Sequence, residues 1–144
     1  MRFSTRLSDA VHILCFIYLN PDENLSSERI AESVRTNPGY VRQLMSSLRK
    51  AELISSTKGH AKPMLAKDAG EITLRDVYKA IEGDKPLLHL DTHTNPECGV
   101  GVNIQLALQE YYDRIQAAAE AEMERITLQN VLDGYHERTK EDKR

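Results

Sequence analysis

The residues best equipped for chemistry lie close together: His89, Asp91, His93 and Cys98. Two imidazoles and a thiolate are suitable ligands for Zn²⁺ or another transition metal, and a Cys–His pair is the start of a nucleophilic site. The spacing matches no dedicated metal motif, however, and histidines in a polar loop are ordinarily solvated. The expectation is no resident metal and no cofactor. The alternative kept open is a metal- or small-molecule-sensing interaction protein using His89, His93 and Cys98. Cys98 has the better setting, in a glycine-containing turn at the start of a helix. There the helix dipole favours the reactive thiolate, although an inert thiol at a loop–helix junction accounts for it equally well. The chain carries no G-x-G-x-x-G, Walker loop, H-E-x-x-H or G-x-S-x-G, so no enzymatic activity is expected. Two cysteines make no disulfide framework, and Cys15, within an apolar helical stretch, reads as a core thiol.

A second group points elsewhere. From Leu25 to Ala66 the chain reads as a short helix (Ser26 to Val34), a tight turn, a second helix (Pro38 to Lys50) and a small hairpin (Leu53 to Ala66). A helix-turn-helix followed by a two-stranded wing places a helix in the DNA major groove. Asn37 can cap free N–H groups and Pro38 suits the first helical position. Val41, Leu44, Met45 and Leu48 then form one apolar stripe. The other side offers Tyr40, Arg42, Gln43 and Ser46 for base edges, and Arg35, Asn37, Arg49 and Lys50 for further DNA contacts. The wing tip adds Lys58, His60 and Lys62.

The remaining elements position this module. Residues 4–19 have helical spacing, with Leu7, Ala10, Val11, Leu14, Ile17 and Tyr18 on the apolar side. Thr73 to Asp76 has the form of a capping box, opening a helix that carries Leu74, Val77, Tyr78 and Ile81 until Gly83 stops it. A long loop follows, and then a helix from about Val102 to Ile126. Its stripe includes Ile104, Leu108, Tyr111, Tyr112, Ile115, Ala119 and Met123. At roughly 37 Å it is longer than a small domain can cover, so its surplus face is expected to meet a second copy. A short helix, Leu128 to Leu132, precedes a charged tail. The expected division is a winged helix-turn-helix domain (1–83), a regulatory loop (84–100), dimerisation helices (101–134) and a disordered tail (135–144). The fold class is mainly α with a small two-stranded wing.

Charge fits this division. Net charge is −3, with 28% charged and 40% apolar residues. Residues 34–62, however, carry six basic side chains against Glu52 alone, a local +5. Phosphate binding depends on such a local field rather than on the net charge. No apolar run approaches the roughly 20 residues that span a bilayer, and no secretory leader is evident. A cytoplasmic protein with no membrane partner is expected.

The opening Phe3 to Ala10, Ile30-Ala31-Glu32, Tyr40 to Leu44, Leu48 to Ile54, Ile72 to Val77 and Ala80 to Gly83 together resemble the Rrf-two family of bacterial winged-helix regulators. The likeness spans nearly all of residues 1–134. It implies a homodimer crossed through the long helix, with two recognition helices on a palindromic operator in double-stranded DNA; of repressor and activator, a repressor is the expectation. Two departures stand out. Cluster-binding members resemble one another in three closely spaced cysteines in the loop, whereas this loop has Cys98 alone. The wing keeps Lys58-Gly59 but has Ala61-Lys62-Pro63 in place of the usual glycines. The loop Asn95 to Gly101 is most similar to the cluster-free, YwnA-like branch; some related single-cysteine regulators resemble thiol redox sensors, so a redox response through Cys98 is an expectation.

Overall fold

The structure, a computed structural model, describes residues 4–21, 23–55 and 62–142. Six helices account for most of it: α1 (Arg6–Leu19), α2 (Ser27–Val34), α3 (Pro38–Lys50), α4 (Leu74–Glu82), α5 (Gly99–Arg125) and α6 (Leu128–Asp142). A 3-10 turn, Ala69–Glu71, precedes α4.

Helix α1 sits at the centre because its apolar residues recur on a wide arc. Ala10, Ile13 and Leu14 are fully buried, and α1 touches α2, α3, α4 and α6. From α2 and α3 the core receives Ile30, Ala31, Val41, Leu44, Met45 and Leu48, the last four being the stripe expected from spacing. The capping box of α4 is formed: the Thr73 hydroxyl accepts the Asp76 N–H and the Asp76 carboxylate accepts the Thr73 N–H, both at 3.0 Å. Gly83 ends that helix at φ +61°, a conformation most side chains resist.

Of the expected wing, the described residues show the base. Ile54 and Leu65 form one antiparallel bridge, with Ser55 N–H donating to the Met64 carbonyl at 2.9 Å and Ala66 N–H to the Leu53 carbonyl at 3.0 Å. No strand is formed among the described residues, so the expected two-stranded wing is not seen there. Pro63, which has no N–H to donate, limits the ladder on the return side. The tip residues Lys58 and His60 lie outside the described residues.

The C-terminal end departs from expectation. Instead of a short helix and a disordered tail from residue 135, α6 continues to Asp142. Thr127 and Asn130 cap its start reciprocally, the Asn130 side chain accepting the Thr127 N–H at 2.9 Å and the Thr127 hydroxyl the Asn130 N–H at 3.1 Å. Leu128 and Leu132 enter the core of the N-terminal module with 1% and 0% exposure. Further along, Val131, Tyr135 and Thr139 line a groove opposite Val11, His12 and Cys15 of α1. Burial of Leu128 and Leu132 anchors a helix that the charged composition alone does not support. A second bridge, Thr73 with Thr127, joins the α5–α6 junction to the start of α4. Residues 101–134 are therefore not purely an appendage, since part of α6 completes the core.

Candidate nucleic-acid interface

The turn between α2 and α3 is three residues, Arg35-Thr36-Asn37. Arg35 closes α2 in the left-handed conformation (φ 64°, ψ 54°), its N–H donating to the Ala31 carbonyl at 2.8 Å. That conformation costs about 1–2 kcal/mol in a residue with a Cβ, and the packing of α2 against α3 holds it. Asn37 starts the next helix as its sequence suggests, with its side-chain oxygen accepting the Tyr40 N–H at 2.8 Å and Pro38 at the first helical position. The Asn37 oxygen is thereby committed to the cap, which leaves its amide group for any outside contact.

With Val41, Leu44, Met45 and Leu48 buried, the helix presents a polar face. Arg42, Gln43, Ser46, Arg49 and Lys50 are all exposed. Arg42 lies 3.7 Å from Glu28 of α2, a pair open to solvent on both sides and so easily exchanged for another anion. Arg35 and Lys62 are exposed as well. Nothing in this face is apolar. It offers amide, hydroxyl and guanidinium groups of the kinds that bind base edges and phosphates.

Tyr40 is turned toward α1: the side chain is half-buried, and its hydroxyl donates to the Asp9 carboxylate at 2.9 Å. Burial, followed by the hydrogen bond and negative charge of Asp9, pushes the phenol up to about 12. Tyr40 lies at the edge of the apolar stripe, and its ring is drawn toward α1 while the oxygen finds a partner, as buried tyrosines usually do. Neither Asp9 nor Glu28 was singled out from sequence, and no local signal there marks an acid whose partner is 31 or 14 residues away.

The loop from 84 to 98 does not gather its chemical groups. His89, Asp91, His93 and Cys98 are all exposed. The His93 ring, 94% exposed, is 3.6 Å from Asp91, and no group of three metal-ligating residues forms among the described residues. Cys98 takes the N-cap position of α5, its carbonyl accepting the Val102 N–H at 3.1 Å and its side chain making no capping bond.

Along α5, about 40 Å long by its 27 residues, no residue is fully buried. The expected stripe divides. Leu108, Tyr112, Ala119 and Met123 are partly covered, whereas Ile104, Tyr111 and Ile115 are exposed, together with Val100 and Leu106 outside that stripe. The cover comes from within the chain. Gln116 accepts the Leu87 N–H at 2.8 Å, and Gly101 lies so near Thr94 that a Cβ there would be 3.7 Å from the threonine Cβ. The loop therefore folds back along α5 and leaves the other side open. Val100, Ile104, Tyr111 and Ile115, spaced by four, seven and four, form an exposed apolar seam along one side of α5.

Comparison with known proteins decides the lineage. The model of the Rrf2 family, iron-dependent transcriptional regulators, matches residues 3–134. The chain belongs to the Rrf2 family. It is 40% identical over 129 residues to YwnA of Bacillus subtilis (strain 168), provisionally named an HTH-type transcriptional regulator, covering 90% of this chain and 96% of that one. A crystal structure provisionally described as a DNA-binding protein is also 40% identical, with a TM-score of 0.71 over 88% of this chain and 98% of the other. CymR, the global cysteine regulator of B. subtilis, shares the fold at 22% identity (TM-score 0.64, 91% and 95% covered). This Rrf2 protein is accordingly a transcriptional regulator of the DNA-binding kind and not an enzyme. No helix among its described residues is long and apolar enough to cross a membrane.

The family's description raises iron, and the donors of this chain do not fit an iron–sulfur cluster. Such clusters are held by four protein ligands, mostly thiolates. Here the chain has two cysteines. Cys15 is packed against the core, and its burial pushes the thiol up to about 11, while Cys98 stands alone and exposed.

Proposed function

We propose that this Rrf2 protein is a sequence-specific repressor that binds a palindromic operator as a homodimer in the cytoplasm. The observation that carries the reading is α3 itself. It is capped at Asn37, has one face wholly buried, and has an opposite face made only of polar and basic side chains. Gln43, Ser46 and Arg42 are assigned to base edges. Arg35, Asn37, Arg49 and Lys50 bind phosphates or sugar, and Lys58, His60 and Lys62 form the wing contribution. Arg42 exchanges its Glu28 partner for DNA. The open seam of α5 supports the homodimer, with Ile104, Tyr111 and Ile115 at its centre. Two copies of α3 then lie about 34 Å apart, one turn of DNA.

The signal acts through Cys98, exposed at the junction between the loop and α5. Oxidation or modification there displaces the loop from α5 and alters the spacing of the two reading helices. Binding to the DNA upstream of its own gene, followed by fluorescence anisotropy with reduced and mildly oxidised protein, tests the reading. Gln43→Ala is expected to reduce preference for that DNA over random sequence, and Cys98→Ser to abolish the redox response. Equal affinity for both DNAs in wild type would refute the proposal.

A further inference from the structure

The recognition helix is tethered through its first turn to an element outside the helix-turn-helix. The Tyr40 hydroxyl donates to Asp9 Oδ2 at 2.9 Å, and the Thr5 hydroxyl donates to the same oxygen at 3.3 Å. Asp9 is in the first turn of α1. That end of α1 is attached in turn to α4, because Ser4 donates to Glu82 Oε1 at 3.2 Å and Arg6 lies 3.9 Å from the same oxygen. Glu82 is the last residue of α4, followed directly by Gly83 and the loop that ends at Cys98. A continuous polar path thus runs from the origin of the loop, through the start of α1, to the turn of α3 that precedes Arg42 and Gln43.

Two further features make this tether a control on pose rather than one more core contact. The connection behind α3 is a three-residue turn containing the left-handed Arg35, so the neighbouring chain leaves the orientation of this end to side-chain contacts. In major-groove readers the N-terminal part of the recognition helix meets the base edges. Val41, Leu44 and Leu48 are fully buried along the opposite face, so the freedom that remains is a small roll of α3 about its own axis, which carries Arg42 and Gln43 across the groove and which the Tyr40 hydrogen bond restrains.

We propose that Asp9 is a positioning residue for DNA recognition: by holding the Tyr40 hydroxyl it sets the pose of α3, and Glu82 ties that hold to the end of α4 from which the loop departs. Asp9 acts through Tyr40 and does not touch DNA. The inference rests on the DNA-binding reading above, and its test separates the two.

The test is a double-mutant cycle of Asp9→Ala and Tyr40→Phe in the full chain, reading affinity for the selected operator and for random DNA across a salt series. Each single variant is expected to lower the operator-to-random ratio about fivefold, the loss of one net hydrogen bond, with no change in salt slope. The double variant should fall no further than either single one. Asp9→Asn, which keeps an acceptor, should recover most of the ratio, and Glu82→Ala should lower it in the same direction. A purely stabilising role would leave the ratio intact and lower only Tm. A loss in Tyr40→Phe that Asp9→Ala does not share would mean that Tyr40 itself touches DNA, and would overturn the proposal. Hydrogen exchange in the free protein gives a reading independent of DNA. Both variants should accelerate exchange at the Val41 and Arg42 amides about fivefold, and unchanged exchange would overturn the tether even if operator binding is confirmed. Failure of wild type to prefer any DNA, with exchange accelerated as expected, would count against the proposed function and leave the tether standing.

Discussion

Gln116 of α5 donates to the Tyr78 hydroxyl of α4 at 3.0 Å while its side-chain oxygen accepts the Leu87 N–H at 2.8 Å. One amide thus joins the long helix, the core helix and the loop, and the Tyr78 hydroxyl extends the connection to the Lys85 carbonyl at 2.7 Å. Gln116→Ala removes this joint without creating a large void. We expect a loss of about 1 kcal/mol in urea unfolding, against less than about 0.5 kcal/mol for Gln43→Ala on the exposed face of α3. Equal effects would mean that the joint contributes nothing.

The open seam of α5 yields a second test. Ile104→Glu combined with Tyr111→Glu places two charges in the centre of the proposed pairing face, where a charge in an apolar contact is strongly disfavoured. Both side chains are exposed in the single chain, so its fold should survive. Sedimentation should change from twice the chain mass to the chain mass, with an unchanged helical circular-dichroism signal. Retention of a dimer would place the interface elsewhere.

Much of the DNA-reading module was legible because its signals are local. Asn37-Pro38 fixes where α3 begins, Val41 to Leu48 fix which way it faces, and Thr73 with Asp76 fixes the start of α4. The failures concern partners distant in sequence. Whether Tyr40 turned outward or inward depended on Asp9, and α6 is anchored where Leu128 and Leu132 enter a core built from residues far earlier in the chain. The stripe of α5 could be counted from sequence, but only the path of the loop decides which half of it is covered. The wing suffered from the opposite problem: Gly59 and Pro63 announce a turn without specifying how many residues pair on either side.

The two thiols should behave differently. Burial pushes Cys15 up to about 11, so at pH 8 only about one molecule in a thousand has that thiolate. Cys98 is exposed. A colorimetric thiol reagent should label one group per native chain rapidly and the second only on unfolding, and Cys98→Ser should remove the rapid phase. Two thiols reacting at one rate in the native state would contradict the assignment.

Acid should weaken the α4–α5 contact. Hydrogen bonds from Gln116 and from Lys79, whose ammonium lies 3.0 Å from the carboxylate, hold Glu120 below its ordinary value. A depressed carboxyl stabilises the fold above the normal glutamate range and loses that contribution as pH falls through and below it. Glu120→Gln should therefore lower Tm at pH 7 and make little difference at pH 3. A constant difference across that range would show that the charge is not responsible.

The central claim is that two copies of α3 read DNA with a fixed separation, and selection of bound sequences from a random pool tests it most directly. The expected pool is an inverted repeat whose half-sites are centred about 34 Å apart, becoming less defined at the bases faced by Gln43 when that residue is alanine. A selected pool with no inverted repeat, or one unaltered by Gln43→Ala, would contradict it.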